Sequence, residues 1–250
     1  MDSASRNRYA AGGAIIFAAL LFGGYKVFNK KADCFADPSA KIAFLIDRSE
    51  PITTLQVREI HERIRKELGS APPNARVTVY HMTDRGFDAS SVFEKCLPKL
   101  DINPIYEGDA KLARNKFNRF IEEVISSVKT ADIKIELKSP IIETIDTIMT
   151  KSGLNRDGTN LKRDQVSLHV FSDLIQNSSL VSLYGCNGKL SKNLADMDGI
   201  SERLQRFSND GAQITLHIVR RDHANPSIPS IICQRSFWEN LLPRAEHRPL

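Results

Sequence analysis

The sequence lacks the short motifs that mark common nucleotide-binding and hydrolytic sites. It contains no G-x-x-x-x-G-K-[ST] phosphate loop, no G-x-G-x-x-G fingerprint, no G-x-S-x-G nucleophile elbow and no H-E-x-x-H zinc pair. Aromatic residues make up only 7% of the chain, and its net charge of +5 is spread without a long basic run. Because nucleic-acid surfaces combine a basic stripe with aromatic platforms, we expect no nucleic-acid partner.

Cysteine is scarce, and its spacing excludes one kind of site. The four cysteines are Cys34, Cys96, Cys186 and Cys233, and no two of them form a Cys-x-x-Cys pair of the zinc or redox type. An even number permits two disulfides in an oxidising compartment, whereas buried free thiols are the alternative. Sequence alone does not fix the connectivity.

Residues 10–28 are apolar, with Lys26 as the one charged residue among them. A membrane-spanning helix needs about 20 mostly apolar residues, and a lysine near its end can reach the headgroups. A cleaved signal peptide is the alternative, but no small-x-small cleavage site follows the apolar core. We therefore predict a short tail at 1–9, a single transmembrane anchor at 10–28 and a linker at 29–40.

The orientation of this anchor is predicted from its flanks and from the cysteines. Arg6 and Arg8 precede it, while Lys26, Lys30 and Lys31 follow, so the positive-inside count is nearly even. A short amino tail with two arginines is easily kept in the cytoplasm. Together with the even cysteine count, this favours a single-pass protein of a bacterial inner membrane, with its carboxyl-terminal domain in the periplasm.

An apolar strand that ends in an acid and a hydroxyl is the main functional signal of the chain. Residues 42–46 are five consecutive apolar residues, typical of a strand buried on both faces, and Asp47 and Ser49 follow. A second apolar strand ends in Ser172 and Asp173. Ligands of open α/β sheets bind at the carboxyl ends of such strands. Two of these ends side by side would form a site for a hard cation.

Strands and amphipathic helices alternate along the rest of the chain. The predicted strands are 42–46, 76–82, 91–97, 166–171 and 214–219. Five helices are predicted. The first follows the first strand, the second spans about 109–128, and the third opens at Ser139-Pro140. The fourth includes Met197 to Phe207, and the fifth begins at Phe237. This order predicts an α/β domain at 41–243, a mainly parallel, doubly wound, Rossmann-like sheet with helices on both faces, followed by a tail at 244–250. If the third strand is antiparallel, Cys34 and Cys96 lie together at the bottom of the sheet and form the expected disulfide.

The strand ending in Asp-x-Ser, the helix opened by a hydroxyl residue and the later strand ending in Ser-Asp resemble the von Willebrand factor A domain, over residues 41 to about 243. The resemblance implies a metal-ion-dependent adhesion site. Its ligands would be Asp47 and Ser49 in the first loop, Ser139 for the second-loop threonine, and Asp173 in the third loop. The sequence departs from the family at Pro51, which replaces a second serine and offers no side-chain oxygen.

Two carboxylates and two hydroxyls suit Mg²⁺ or another divalent cation, which takes oxygen ligands and keeps several waters. Each residue also has a structural interpretation: Asp47 and Asp173 as turn caps, and Ser139 as a helix N-cap. The resemblance implies a protein-interaction domain within a larger membrane-associated assembly, with a partner carboxylate as the last metal ligand. A metal-dependent hydrolase or phosphotransferase using Asp47 and Asp173 is the alternative, so enzymatic activity is left open, although we favour interaction.

The loops at the carboxyl ends of the strands are the predicted recognition surface, because binding residues collect on loops of a rigid scaffold. Glu50 in the first loop and Tyr184 in the long segment after residue 173 are the predicted partner-binding residues, with Leu183 as a further apolar anchor. None of the six histidines has a partner at helical spacing. We interpret them as surface or packed residues.

Overall fold

The computed structural model describes residues 34, 37–49, 51–82, 90–98, 107–129, 138–151, 154, 161, 165–184, 198–210, 212–219 and 231–249. Within these residues, none of the helices combines the length and the apolar character needed to span a bilayer. The tail predicted at 1–9 and the anchor predicted at 10–28 lie outside them, as does most of the linker. The anchor therefore stays a prediction.

A six-stranded sheet is the centre of the domain. Its strands are β1 (Lys41–Ile46), β2 (Arg76–His81), β3 (Ser90–Cys96), β4 (Val166–Ser172), β5 (Gln213–Ile218) and β6 (Glu246–Pro249). The helices are α1 (Thr54–Ser70), α2 (Glu107–Lys129), α3 (Ile141–Lys151), α4 (Asp198–Asp210) and α5 (Ile231–Leu241). The strand order is β3-β2-β1-β4-β5-β6, and every neighbouring pair is parallel except β2 with β3. This is the order of a doubly wound sheet, as predicted.

β1 is buried along its whole length, which explains its uninterrupted apolar sequence. Because successive strand residues point to opposite faces, Ala43 and Leu45 join one core while Phe44 and Ile46 join the other. Helices α1 and α2 supply the second core, and helices α3, α4 and α5 supply the first. A central strand of this kind is fixed from both sides, so the loop that follows it begins at a well-defined point.

α1 begins where the sequence places a hydroxyl residue. The Thr53 side chain accepts from the Gln56 backbone N–H, and the Gln56 side chain accepts from the Thr53 N–H, a reciprocal capping box. Ile60 and Ile64 on its inner face are fully buried, whereas Val57 is only partly buried. The predicted apolar face is confirmed, with its first residue at the margin of the core.

The carboxyl-terminal end of the domain differs from the prediction. α5 begins at Ile231, six residues before the predicted start at Phe237. The predicted tail at 244–250 contains β6, which pairs with β5, so the sheet continues past the boundary predicted at 243. β6 was missed because Glu246, Arg248 and Pro249 give no apolar alternation. Charged residues and proline are instead typical of an edge strand, where they discourage pairing with other chains.

The predicted disulfide is present. Cys34 and Cys96 are bonded, with 5.9 Å between their Cα atoms. β3 is antiparallel to β2, so its end carries Cys96 to the same edge as the start of β1, where Cys34 precedes it. Cys233 is disulfide-bonded as well.

Candidate functional site

The site lies at the carboxyl ends of β1 and β4, here called the upper edge of the sheet. From β1 the chain proceeds outward to β2 and β3, and from β4 it proceeds the other way to β5 and β6. Asp47 follows β1, and its backbone N–H donates to the carbonyl of Phe171 in β4 at 2.9 Å. The Val219 N–H donates to the Ser172 carbonyl at 2.9 Å and ties β5 to the same place. Ligands of doubly wound sheets bind at this reversal point.

Asp47 is the centre of the site and is only 2% exposed. Its Oδ1 accepts the backbone N–H of Ser49 at 2.9 Å. Its Oδ2 accepts the hydroxyls of Ser172 at 2.6 Å and Ser139 at 3.3 Å. Three donors from three segments of the chain compensate the buried carboxylate, which would otherwise be costly to remove from water. The structure therefore brings together Asp47, Ser139 and the loop at Ser49, as the sequence predicted.

Ser139 is held by the loop that follows β4. Its backbone N–H donates to the Asn177 carbonyl at 2.8 Å, and the Asn177 N–H donates back to the Ser139 carbonyl at 2.9 Å. α3 begins after it, with the Thr144 N–H donating to the Pro140 carbonyl at 3.0 Å. The hydroxyl of Ser139 points to Asp47 and not to the helix. Its interpretation as a helix N-cap is therefore wrong.

Asp173 shapes the loop after β4. Its Oδ1 accepts the Ile175 N–H at 2.9 Å, so the capping interpretation of this residue is observed. Leu174 between them has φ of 61°, a left-handed conformation that is strained for a branched side chain. The loop is anchored from α5, where the Gln234 side chain donates to the Asp173 carbonyl and the Trp238 indole donates to the Leu174 carbonyl at 2.9 Å. Asp173 remains a predicted metal ligand.

Sequence reasoning missed a supporting layer of residues. Gln176, fully buried, accepts the Ile142 N–H at 2.9 Å and donates to Glu143 at 3.0 Å and to the Ser178 hydroxyl at 2.9 Å. It thus joins the start of α3 to the loop after β4. Ser172 belonged to the Ser-Asp motif but was not among the predicted ligands. The position of Ser172 at the end of an apolar strand was the signal that could have found it.

The first loop also carries a positive charge, on Arg48. Arg48 donates to the Val128 carbonyl of α2 at 3.1 Å, which fixes the loop against the helix end. His81 at the end of β2 is buried, and burial together with the charge of Arg48 lowers its pKa to about 4. His81 is therefore neutral at pH 7. Pro51 is exposed, and it adds no ligand to the site.

The predicted partner-binding residues have different surroundings. Glu50 lies outside the described residues. Tyr184 is 39% exposed, at the end of the described part of the long loop. Leu183 is 1% exposed and belongs to the core, so its interpretation as a recognition anchor is wrong.

Some of the oxygen atoms around Asp47 are still able to bind a hard cation. A hydroxyl that donates its hydrogen to Asp47 still has oxygen lone pairs for a cation, which applies to Ser139. Ser172 is more fully used, because its oxygen also accepts the Leu174 N–H at 2.9 Å. The residues therefore fit an oxygen-only site that would keep several waters, as Mg²⁺ does. The burial and three hydrogen bonds of Asp47 favour a positioning role over nucleophilic attack.

Comparison with known proteins gives likenesses in structure alone. No family profile and no curated protein matches the sequence. Proximal thread matrix protein 1 from the mussel byssus, in a structure with a zinc-occupied MIDAS motif, is 9% identical with a TM-score of 0.49, over 86% of this chain and 44% of that one. BatB from Bacteroides thetaiotaomicron is 9% identical with a TM-score of 0.46, over 84% of this chain and 90% of that one.

A structure described as von Willebrand factor type A from Catenulispora acidiphila is 8% identical, with a TM-score of 0.37, over 85% of this chain and 39% of that one. The chain spans less than half the length of the mussel structures. At these identities and TM-scores, the neighbours say nothing about what this chain binds. The chain has a von Willebrand A-like fold, as the sequence predicted. Its strand order, its helices on both faces of the sheet and the acid and hydroxyl residues at its strand ends are the basis for this assignment.

Proposed function

We propose that this domain binds a protein partner through its upper edge, as part of a membrane-associated assembly in a bacterial envelope. The observation that carries the proposal is the convergence of Asp47, Ser139 and Ser172 where the strand order reverses. Three segments meet there and are cross-linked by buried hydrogen bonds. A platform of this kind presents loops with little freedom to lose on binding, which lowers the entropic cost of association.

Exposed apolar side chains support this surface. Leu55 is 53% exposed and lies in the first turn of α1, directly after the upper loop of β1. Ile232 is 76% exposed in the first turn of α5, whose Gln234 contacts the loop of Asp173. Tyr184, 39% exposed, follows in the loop after β4. Tyrosine is among the residue types that supply most of the binding energy at protein interfaces, and exposed apolar side chains beside it add area that a partner can bury.

A bound divalent cation would add a directional contact. The predicted ligands are Asp47, Ser49, Ser139 and Asp173, and the ion would supply a coordination position for a carboxylate of the partner. The residues of this chain hold the ligands in place: Gln176 fixes the start of α3, and the Ser172 hydroxyl, itself fixed by the Leu174 N–H, donates to Asp47. The proposed ion is Mg²⁺, because all of the donors are oxygen atoms.

The disulfides support a place outside the cytoplasm. Cys34 and Cys96 are bonded, and Cys233 is disulfide-bonded too. Disulfides persist in oxidising compartments such as the periplasm and are rare in the cytosol. With an anchor at residues 10–28, the domain would face the periplasm and would meet its partner there.

The test is crosslinking of the full chain in spheroplasts, with a reagent that does not cross the cytoplasmic membrane. We expect a specific crosslinked partner for the wild type. Tyr184→Ala and Ile232→Ser should lower its yield about fivefold, the effect of losing about 1 kcal/mol of binding free energy. Surface substitutions of this kind change the free energy of unfolding by roughly 0.5 kcal/mol or less.

Leu112→Ser is the control, because Leu112 is an apolar side chain whose exposure, 52%, lies between those of Tyr184 and Ile232. It lies sixteen residues before Val128 on α2, about 24 Å along the helix from the end that contacts Arg48. Crosslinking lost with Leu112→Ser but kept with both upper-edge variants would show that the binding surface is elsewhere. Crosslinking only after the membrane is permeabilised would overturn the periplasmic location.

A further inference from the structure

A second buried polar cluster lies away from the upper edge, on the face of the sheet that α1 covers. His169 in β4 is 5% exposed, and His217 and Thr215 in β5 are 0% and 1% exposed. The neighbouring side chains on this face of β1 and β4, Phe44 and Phe171, are apolar. Polar groups are costly in such surroundings unless they are paired, so two buried histidines here require a physical reason.

The two histidines meet nitrogen to nitrogen. Nδ1 of His169 lies 3.2 Å from Nε2 of His217. The rings are held by aromatic stacking, with Phe44 against His169 at 5.3 Å and Phe171 against His217 at 4.3 Å between centroids. A carboxylate oxygen of Glu67, from the last turn of α1, joins them, and the ligand atoms of all three residues lie within 4.8 Å of one another.

This spacing is that of a metal site. Zn²⁺ binds histidine nitrogen at about 2.0–2.1 Å with tetrahedral angles, which places two nitrogen ligands about 3.3 Å apart. Both imidazoles are neutral at pH 7 and have a lone pair to offer. Burial, with the charge of Arg248, lowers the pKa of His169 to about 4, and burial, with His169, lowers the pKa of His217 to about 3.

Hydrogen bonding around the pair is incomplete, and open space adjoins it. Nδ1 of His217 and the hydroxyl of Thr215 have no hydrogen-bond partner in the described part of the chain. A cavity of about 150 Å³ is lined by Glu67, His169, Thr215 and Arg248. An ion between Glu67 and His169 would therefore lie next to open space for a further ligand.

Arg248 orients the carboxylate. Its Nη1 donates to Oε1 of Glu67 at 3.0 Å, and the carboxylate keeps further lone pairs for a cation. Partners of this type hold metal ligands in position at many protein sites.

We propose that Glu67, His169 and His217 form a zinc site, with the fourth coordination position open to the adjacent cavity. Two histidines and a glutamate with one open position is a ligand set that zinc takes in proteins. The site is distinct from the oxygen-only site at the upper edge and does not depend on the proposed partner binding.

The experiment uses the tag-free full chain in detergent, stripped with a chelator. Zinc binding is measured by equilibrium dialysis, and Co²⁺ is used as a spectroscopic substitute. We expect one zinc ion per chain and the intense visible absorption of four-coordinate cobalt. His217→Gln and Glu67→Gln should each weaken zinc affinity about tenfold or more and should reduce the cobalt absorption.

His81→Gln is the matched control, since His81 is also buried with a pKa lowered to about 4, but it lies at the end of β2. It should bind zinc as the wild type does. Glu67 has a partly exposed side chain, so Glu67→Gln tests the site even if His217→Gln fails to fold. No stoichiometric zinc in the wild type, or equal affinity in wild type and Glu67→Gln, would overturn the proposal.

Discussion

Asp47 and His217 are both almost fully buried polar residues, at 2% and 0% exposure, but their neighbours satisfy them differently. Both oxygens of Asp47 accept hydrogen bonds, from one backbone N–H and two hydroxyls. His217 has one ring nitrogen against His169, and its other nitrogen has no partner in the described residues. The first arrangement is complete as a hydrogen-bonded network, whereas the second leaves a polar group that only a further ligand or water could satisfy.

The positions of the two residues explain this difference. Asp47 follows the end of a strand, where loop residues have backbone N–H groups that the sheet does not use. His217 lies inside β5, where the backbone groups are committed to the ladder with β4 and β6. A side chain in a strand interior therefore depends mainly on other side chains, either on the same face of the sheet or on the helix that covers it. Buried polar residues of strand interiors are the more informative ones, because the backbone cannot satisfy them.

Acid should produce the largest effect, because it should lower the stability of the folded protein through protonation of the histidine pair. The folded-state pKa values of His169 and His217, about 4 and about 3, lie below the ordinary value of 6.5. The unfolded chain therefore binds protons that the folded chain excludes, and the stabilisation is complete above pH 6.5 and is lost as the pH falls toward 4. We expect a loss on the order of 5 kcal/mol from the pair in metal-free protein, measured by urea denaturation between pH 7 and pH 4.

The double variant His169→Phe/His217→Phe should flatten this dependence, because phenylalanine does not titrate and preserves the stacking on Phe44 and Phe171. His81 and His247 have lowered pKa values as well and contribute to the remaining slope. An unchanged slope in the double variant would mean that the pair is protonated in the folded protein or that its pKa values are ordinary.

Removal of the Asp47 carboxylate is the second test. Asp47→Ala leaves the Ser49 N–H and the hydroxyls of Ser139 and Ser172 without their acceptor in a buried site. Each orphaned group costs about 1–3 kcal/mol, and the two hydroxyls can rotate toward other acceptors, so we expect a total at the lower end, roughly 3 to 5 kcal/mol less stability by urea denaturation. Asp47→Asn keeps one acceptor oxygen and should lose less. Equal stability of wild type and Asp47→Ala would show that water replaces the carboxylate at little cost.

The sequence was sufficient to predict the upper edge because its signals are local. Apolar runs ending in Asp47 and Ser172 placed acid and hydroxyl at strand ends, and parallel pairing of β1 with β4 brings them together. The pairing of Cys34 with Cys96 followed from one reversed strand. These predictions needed only the direction of each strand.

The histidine pair could not be predicted in the same way. His169 and His217 are 48 residues apart, and their contact depends on the register of β4 with β5, in which His169 pairs with Thr215 and Phe171 with His217. The left-handed backbone of Leu174 could not be predicted either, because leucine does not favour that conformation. The loop that contains Leu174 is held by contacts from α5. Local sequence patterns do not show which residues of two distant strands pair, or which loop a distant helix holds in place.

Magnesium should produce the smallest effect, and it separates the two clusters. If Asp47, Ser49, Ser139 and Asp173 bind Mg²⁺, the ion at ten times its dissociation constant stabilises the folded state by about 1.4 kcal/mol. This corresponds to a rise of roughly 3 to 6 °C in the melting temperature of a domain of this size, measured by calorimetry of the full chain. Asp173→Ala should remove the rise, because a carboxylate ligand is lost.

Glu67→Gln should keep the full magnesium response, since the nitrogen-rich cluster of Glu67, His169 and His217 suits zinc and not a hard cation that prefers oxygen. The reverse pattern, a response that Glu67→Gln abolishes and Asp173→Ala preserves, would place the magnesium ion in the histidine cluster. A full rise in melting temperature in both variants would mean that the magnesium ion binds at neither site. No response in the wild type would limit the upper edge to its hydrogen-bonded role, because Asp47 is already satisfied by Ser49, Ser139 and Ser172 without an ion.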